Sequence, residues 1–297
     1  MPEIDVDETT TERTDSEFLL HTGEPLTLSD LYPIAAAEKS CYVVLMGGIA
    51  CGKTTLIASL YQMLLREVRV DYMFAGSQTL IGFEKRCKST RLADGRTSPY
   101  IPHTPRGVEE VLHLRLFDCK TLQHVNLFMS DISGEDFTDV LGRPDEARRE
   151  FYYVRAAKTI ALMIDGAKLC SPQYMAEIHR AVSLLQTFRE GGLIANRAKI
   201  LLVISKFDLV NGKSEVRPSL ALRKFQEQFS DWRNRFCLVE TAAMPEHGSN
   251  IQVYHGLKHL YREMLSESVS AVLCNCFPTE SKFELWGRRN LYMHTGN

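Results

Sequence analysis

Residues 45–55 read Leu45-Met46-Gly47-Gly48-Ile49-Ala50-Cys51-Gly52-Lys53-Thr54-Thr55, directly after the apolar run Cys41-Tyr42-Val43-Val44. Gly47 through Thr54 satisfies G-x-x-x-x-G-K-[ST] at every fixed position. That spacing carries chemistry only between a strand and a helix. Cys41 to Met46 reads as a buried strand, and the stretch from Lys53 to Glu67 sets Leu56, Ile57, Leu60, Leu64 and Leu65 on one side of a helix. The glycines let the backbone curl so that successive N–H groups face phosphate oxygens, and the helix adds its positive N-terminal end. Lys53 is expected to reach the β and γ phosphates and the Thr54 hydroxyl to sit on Mg²⁺. The predicted cradle is Gly47, Gly48, Ile49, Ala50, Cys51, Gly52, Lys53, Thr54 and Thr55. Cys51, inside the loop, is a candidate for thiol modification.

Three later stretches extend the site. Leu127-Phe128-Met129-Ser130-Asp131-Ile132-Ser133-Gly134-Glu135 is an apolar strand ending in D-x-x-G. Its Asp131 is expected to hold a Mg²⁺-bound water, and the Gly134 N–H to meet a γ-phosphate and so sense triphosphate against diphosphate. Leu201-Leu202-Val203-Ile204-Ser205-Lys206-Phe207-Asp208 ends another strand in S-K-x-D. Asp208 can accept hydrogen bonds from guanine N1–H and the 2-amino group. Adenine lacks both donors, and a carboxylate left unpaired in a partly buried slot is costly. The Lys206 stem can cover the base. Finally, Thr241-Ala242-Ala243 follows a last strand and can offer backbone N–H groups to a guanine carbonyl.

Strands at about 111–117, 125–130, 159–164, 199–204 and 235–239 alternate with helices at about 172–190, 218–232 and 250–268. The fold class is therefore α/β, a mostly parallel sheet with helices on both faces and one antiparallel edge strand from the hairpin-like pair around Asp118-Cys119-Lys120-Thr121-Leu122-Gln123-His124. A further helix is expected over Ser77 to Ala93, capped by Ser77, with Leu80, Ile81, Phe83 and Cys87 inward.

The four motifs in this order resemble those of P-loop GTPases of the TRAFAC (translation-factor and Ras-like) class. A narrower resemblance rests on GGIACGKTTLIASLY, FAGSQTLIGFEKRC, HLRLF and SDISGEDF, which look like the prokaryotic double-GTPase family of bacterial conflict systems. The resemblance implies a Ras-like P-loop NTPase domain, GTP/GDP and Mg²⁺ as ligands, and a switch between nucleotide states. It further implies a bacterial, cytoplasmic protein whose partner is a second GTPase or an effector encoded nearby, in antiviral defence. The expected organisation is an acidic disordered tail over 1–24, the GTPase domain over 25–268 with an extended switch I region at about 68–110, and a C-terminal extension over 269–297.

Two residues depart from that pattern. Ser205 stands where Asn or Thr is usual, which predicts weaker bracing of the loop. Glu135 stands where many relatives carry Gln, and a carboxylate beside a γ-phosphate is repelled by it unless its pKa is raised. Slow hydrolysis is therefore expected, with Lys53, Glu135 and a switch threonine as catalytic residues. That threonine is Thr104, or else Thr97; with Thr54 and Asp131, Thr104 would complete the metal site. Arg143, Arg148, Arg149 and Arg155 are candidates for neutralising transition-state charge. Gly76-Ser77 with Gly82-Phe83-Glu84-Lys85-Arg86 is a candidate partner-facing surface. The alternatives are a nucleotide-dependent interaction module without turnover and a P-loop ATPase or kinase.

Composition narrows the rest. The chain has 297 residues, 44% hydrophobic and 24% charged, with a net charge of −2. Such a balance suits a globular core and gives no support for nucleic-acid binding, which needs a basic surface. No apolar run is long enough to predict a membrane span. Cys274-Asn275-Cys276 has no second pair or His cluster at zinc-ligand spacing, so free thiols are expected there.

Overall fold

Seven residues of the first strand, Ser40–Met46 (β1), are all buried, and their side chains divide between two cores. Cys41, Val43 and Leu45 face one side of the sheet; Tyr42, Val44 and Met46 face the other. A strand buried on both faces has to be apolar throughout, which is why this run lacks alternation. The computed structural model describes residues 21–66, 71–90, 107, 110–246 and 248–266.

Helix α1 (Leu28–Ala37) precedes β1, and α2 (Lys53–Leu65) follows it. Then come β2 (Tyr72–Gly76), α3 (Leu80–Thr90), β3 (Val111–Asp118), β4 (Gln123–Ser130), α4 (Gly134–Asp139) and α5 (Pro144–Glu150). The second half holds β5 (Thr159–Asp165), α6 (Gly166–Cys170), α7 (Tyr174–Glu190), β6 (Lys199–Ser205), α8 (Arg217–Gln228), β7 (Phe236–Glu240) and α9 (Leu257–Leu265). The strands form one sheet in the order β2-β3-β4-β1-β5-β6-β7. Pairing is parallel from β4 to β7 and antiparallel within β2-β3-β4.

The expected α/β sheet and its hairpin are present. Strand β2, which adds to the outer side of the hairpin, was not foreseen: it is short and only partly buried, so it has no apolar signature. Helices cover both faces. Leu56, Ile57 and Leu60 of α2 and Leu260 and Tyr261 of α9 pack on one side, and Ile178, Leu185 and Phe188 of α7 with Phe225 of α8 on the other.

Helix α3 starts at Leu80, later than expected. Ser77 accepts the Thr79 N–H (2.9 Å) and donates to the His113 carbonyl (2.6 Å), so it makes a turn and a strand contact before the helix begins. Phe83 and Cys87 are buried as predicted, but Leu80 and Ile81 are 40% and 45% exposed. At helical spacing, positions 83 and 87 point to α2, which turns 80 and 81 outward. Ring stacking of Phe83 on Tyr61, centroids 4.7 Å apart, fixes α3 on α2.

The parallel strands carry the motifs to one end of the sheet. Cradle, D-x-x-G, S-K-x-D and T-A-A follow the carboxyl ends of β1, β4, β6 and β7, where an open α/β sheet places its ligand sites. The expected tail and C-terminal extension fall almost wholly outside the described residues, as do Thr97, Thr104, Cys274 and Cys276. Among the described residues no helix is long and apolar enough to cross a membrane.

Candidate functional site

The cradle closes through glycine at positions where a side chain has no room. A Cβ on Gly47 would lie 2.7 Å from the Cys51 sulfur and 2.9 Å from Met163 Cβ. Gly52, with φ of 93°, caps α2 in the left-handed region open to glycine. Lys53, 6% exposed, donates from Nζ to the carbonyls of Gly47 (2.9 Å) and Gly48 (3.1 Å), so its charge lies along the inside of the loop. Ile49 stands half-exposed at the lip. Cys51 is buried, and burial raises its thiol pKa although Lys53 opposes the shift. A buried thiol that resists ionisation is a poor nucleophile, which argues against modification at Cys51.

Asp131 and Thr54 meet beside the cradle, the Thr54 hydroxyl donating to Asp131 Oδ1 at 3.2 Å. Two hard oxygen donors next to a phosphate loop fit Mg²⁺, which takes oxygen ligands and keeps several waters. Asp131 is 1% exposed, and its other oxygen accepts from Arg86 Nε at 2.6 Å. Arg86 also pairs with Glu110 and donates to the Gly82 carbonyl at 3.0 Å. Burial alone would pull the guanidinium pKa down; the charges and hydrogen bonds of Asp131 and Glu110 outweigh it and raise the pKa. The segment Gly82 to Arg86 is thus not a uniform outer surface. Phe83 is in the core and Arg86 turns into the site, while Lys85 pairs outside with Glu24 at 2.6 Å.

Gly134 lies directly on the cradle: a Cβ there would be 2.6 Å from Gly48 C and O and from Ile49 N. Only glycine permits that approach. Glu135 follows in the first turn of α4, partly buried, its N–H bonded to Ser133 Oγ at 3.2 Å.

The third motif bounds a cavity of about 220 Å³ lined by Gly52, Thr55, Ser205, Lys206, Asp208 and Ala243 among others. Ser205 donates to the Cys51 carbonyl at 2.7 Å, tying the base-side loop to the cradle. A serine hydroxyl spans the gap because the strand end and the cradle lie close. Lys206, left-handed at φ of 50°, donates to the Ala50 carbonyl (3.0 Å) and to Asp165 (2.9 Å). Asp208 accepts the Glu246 N–H at 2.9 Å, which orients its carboxylate at the cavity wall. Of the T-A-A residues, Thr241 spends its N–H on Ile204 O (2.8 Å) and Ala242 on His255 O (3.2 Å). Thr241 and Ala243 line the cavity; Ala242 does not.

The four nominated arginines point elsewhere. Arg148 and Arg155 bind the carbonyls of Gly191 and Gly192 just past the end of α7, Arg143 pairs with Glu146, and Arg149 is exposed. The arginine against the cradle is Arg180, whose guanidinium occupies the space a Gly48 Cβ would need. It pairs with buried Glu177, which also accepts the Asp165 N–H at 3.2 Å. From Arg180 to Gly191 is about 16 Å at helical rise, so the nominated residues lie at the wrong end of α7. In the sequence, Glu177 and Arg180 stand at the i,i+3 spacing that allows this pair on one helix face.

Outside the cradle, Cys237, His259 and Glu263 bring ligand atoms within 4.8 Å of one another. Lys199 Nζ already pairs with Glu263 there, and no metal is assigned to them.

The Double-GTPase 2 family model matches residues 41–265. No curated protein matches significantly. Among solved structures, the crystal structure of a bacterial selenocysteine-specific elongation factor, EF-Sec, is similar over 76% of this chain at 14% identity and a TM-score of 0.40. The GDP-bound RocCORdC structure of Methanosarcina barkeri Roco2 is similar over 84% at 14% identity and a TM-score of 0.42. This chain spans 28% and 55% of those two chains.

Proposed function

The chain belongs to the Double-GTPase 2 family, and from that premise we propose a Mg²⁺-dependent guanine-nucleotide switch that binds GTP, hydrolyses it slowly and acts on a protein partner. One observation carries the base identity: Asp208 is held at the wall of a cavity that opens beside Gly52 and Thr55 of the cradle. A carboxylate in that position accepts from guanine N1–H and the 2-amino group, and adenine offers it no donor. Lys53 and the cradle N–H groups bind the phosphates. Thr54 and Asp131 are the residues that would hold Mg²⁺, which would supply positive charge against the phosphates. Gly134, packed on the loop, is the element that answers to a γ-phosphate. The switch threonine is proposed as Thr104.

Glu135 favours a second reading, binding without turnover, since a carboxylate orients water less well beside a phosphate. A bacterial cytoplasmic setting, defence against phage and a second GTPase as partner complete the proposal.

Fluorescent-nucleotide titrations test the assignment. Lys53→Ala should abolish GTP binding, and Asp208→Asn should weaken it about a hundredfold or more without improving ATP. Unchanged GTP affinity in both variants would remove the site assignment. Phosphate release followed over hours, with and without the co-encoded partner, separates slow turnover from none.

A further inference from the structure

We propose that Arg86 is a built-in counter-cation of the metal pole, competing with a divalent cation for Asp131 so that cation binding frees the inner turn of α3. The inference rests on the GTP-binding reading and adds a residue to it. Arg86 sits on a helix inserted between the cradle helix and β3, yet its side chain is only 10% exposed and ends on the D-x-x-G carboxylate. Its Nε donates to Asp131 Oδ2 at 2.6 Å, while Oδ1 of the same carboxylate accepts from Thr54. Glu110, immediately before β3, holds the other end of the guanidinium. One cation is therefore clasped by two carboxylates at the place where a dication would bind.

Two facts make this competition and not simple support. The pair is buried, where repulsion between a guanidinium and a dication sharing one carboxylate is poorly screened. A dication drawing on the Asp131 carboxylate would also weaken the acceptor that Arg86 Nε uses, leaving Glu110 and the Gly82 carbonyl to hold the guanidinium. Removing one partner of a buried ion pair is costly, so the arginine is driven to move. The movement has a path outward. Arg86 Nη1 holds the Gly82 carbonyl, one turn back along α3, and the Gly82 N–H holds the Gly23 carbonyl at 3.0 Å. Leu80 and Ile81 stand exposed on that same turn. Cation occupancy is thus coupled to an apolar surface, and the coupling is reciprocal: whatever holds that turn away from the site should tighten cation binding.

The test titrates Mg²⁺ against retention of a fluorescent GDP or GTP analogue in the full chain. Arg86→Gln should lower the Mg²⁺ concentration for half-maximal retention on the order of tenfold. Arg86→Lys, which keeps the charge, should stay near the unmodified protein. An unchanged or higher Mg²⁺ requirement in Arg86→Gln overturns the proposal, because Arg86 would then support the cation. If the unmodified protein retains no guanine nucleotide at any Mg²⁺ concentration, the GTP reading itself has failed and this inference with it. Hydrogen exchange on the unmodified protein needs no variant to fold. Amides of α3 around residues 82–86 should exchange faster with Mg²⁺ and GTP than with GTP and a chelator, and equal exchange contradicts the proposal.

Discussion

At the residue scale, the site is held by close contacts: Ser205 Oγ lies 2.7 Å from the Cys51 carbonyl and Arg86 Nε 2.6 Å from Asp131. Spacing alone nominated Lys53, Asp131, Gly134 and Asp208, because each owes its position to the loop after one strand. The contact made by Ser205, 2.7 Å to the Cys51 carbonyl, is a distance that no spacing reports. Arg86 and Arg180 were passed over for a similar reason: a charged residue on a helix is ordinarily solvated, and only packing turns it inward. His113 shows the same dependence. It is 2% exposed, accepts the Gln78 N–H on Nδ1 at 3.1 Å and meets Asn126 through Nε2 at 3.0 Å, which requires the neutral ring protonated on Nε2. Burial lowers its pKa, against the Asn126 bond, which raises it. A base whose folded pKa lies below its ordinary value near 6.5 binds more protons unfolded, so stability is full above that value and falls as pH drops through the folded pKa. Urea unfolding at pH 7 and pH 5 should show a loss in the native chain that is smaller in His113→Gln. Equal losses in the two would mean that His113 is not responsible.

At the element scale, the strands buried on both faces were the most legible features, since nothing but an apolar run can fill them. Strand β2 was not, because an edge strand exposed on its outer side needs no pattern. Helix α3 was found, with its start misplaced, because Ser77 serves His113 and not the helix end. What holds α3 in place is Phe83, fully buried and stacked on Tyr61 of α2. Phe83→Ala should cost about 3–5 kcal/mol of unfolding free energy, the range for truncating a buried aromatic ring. Chemical denaturation measures it directly. A loss below about 1 kcal/mol would mean that α3 is anchored by something else.

At the scale of the molecule, one sheet with its parallel strands ending together brings four motifs, more than a hundred residues apart in places, to a single edge. Guanine nucleotide with Mg²⁺ is the ligand proposed for this edge. A ligand that binds only the folded chain raises its melting temperature in proportion to RT ln(1 + [L]/Kd). Melting of the full chain with GTP, GDP and ATP, each with and without Mg²⁺, therefore tests base and phosphate recognition together. GTP and GDP should each raise the melting temperature by several degrees, more when Mg²⁺ is present, and ATP should give no comparable rise. Equal stabilisation by ATP, or none by any of the three, would contradict the proposal.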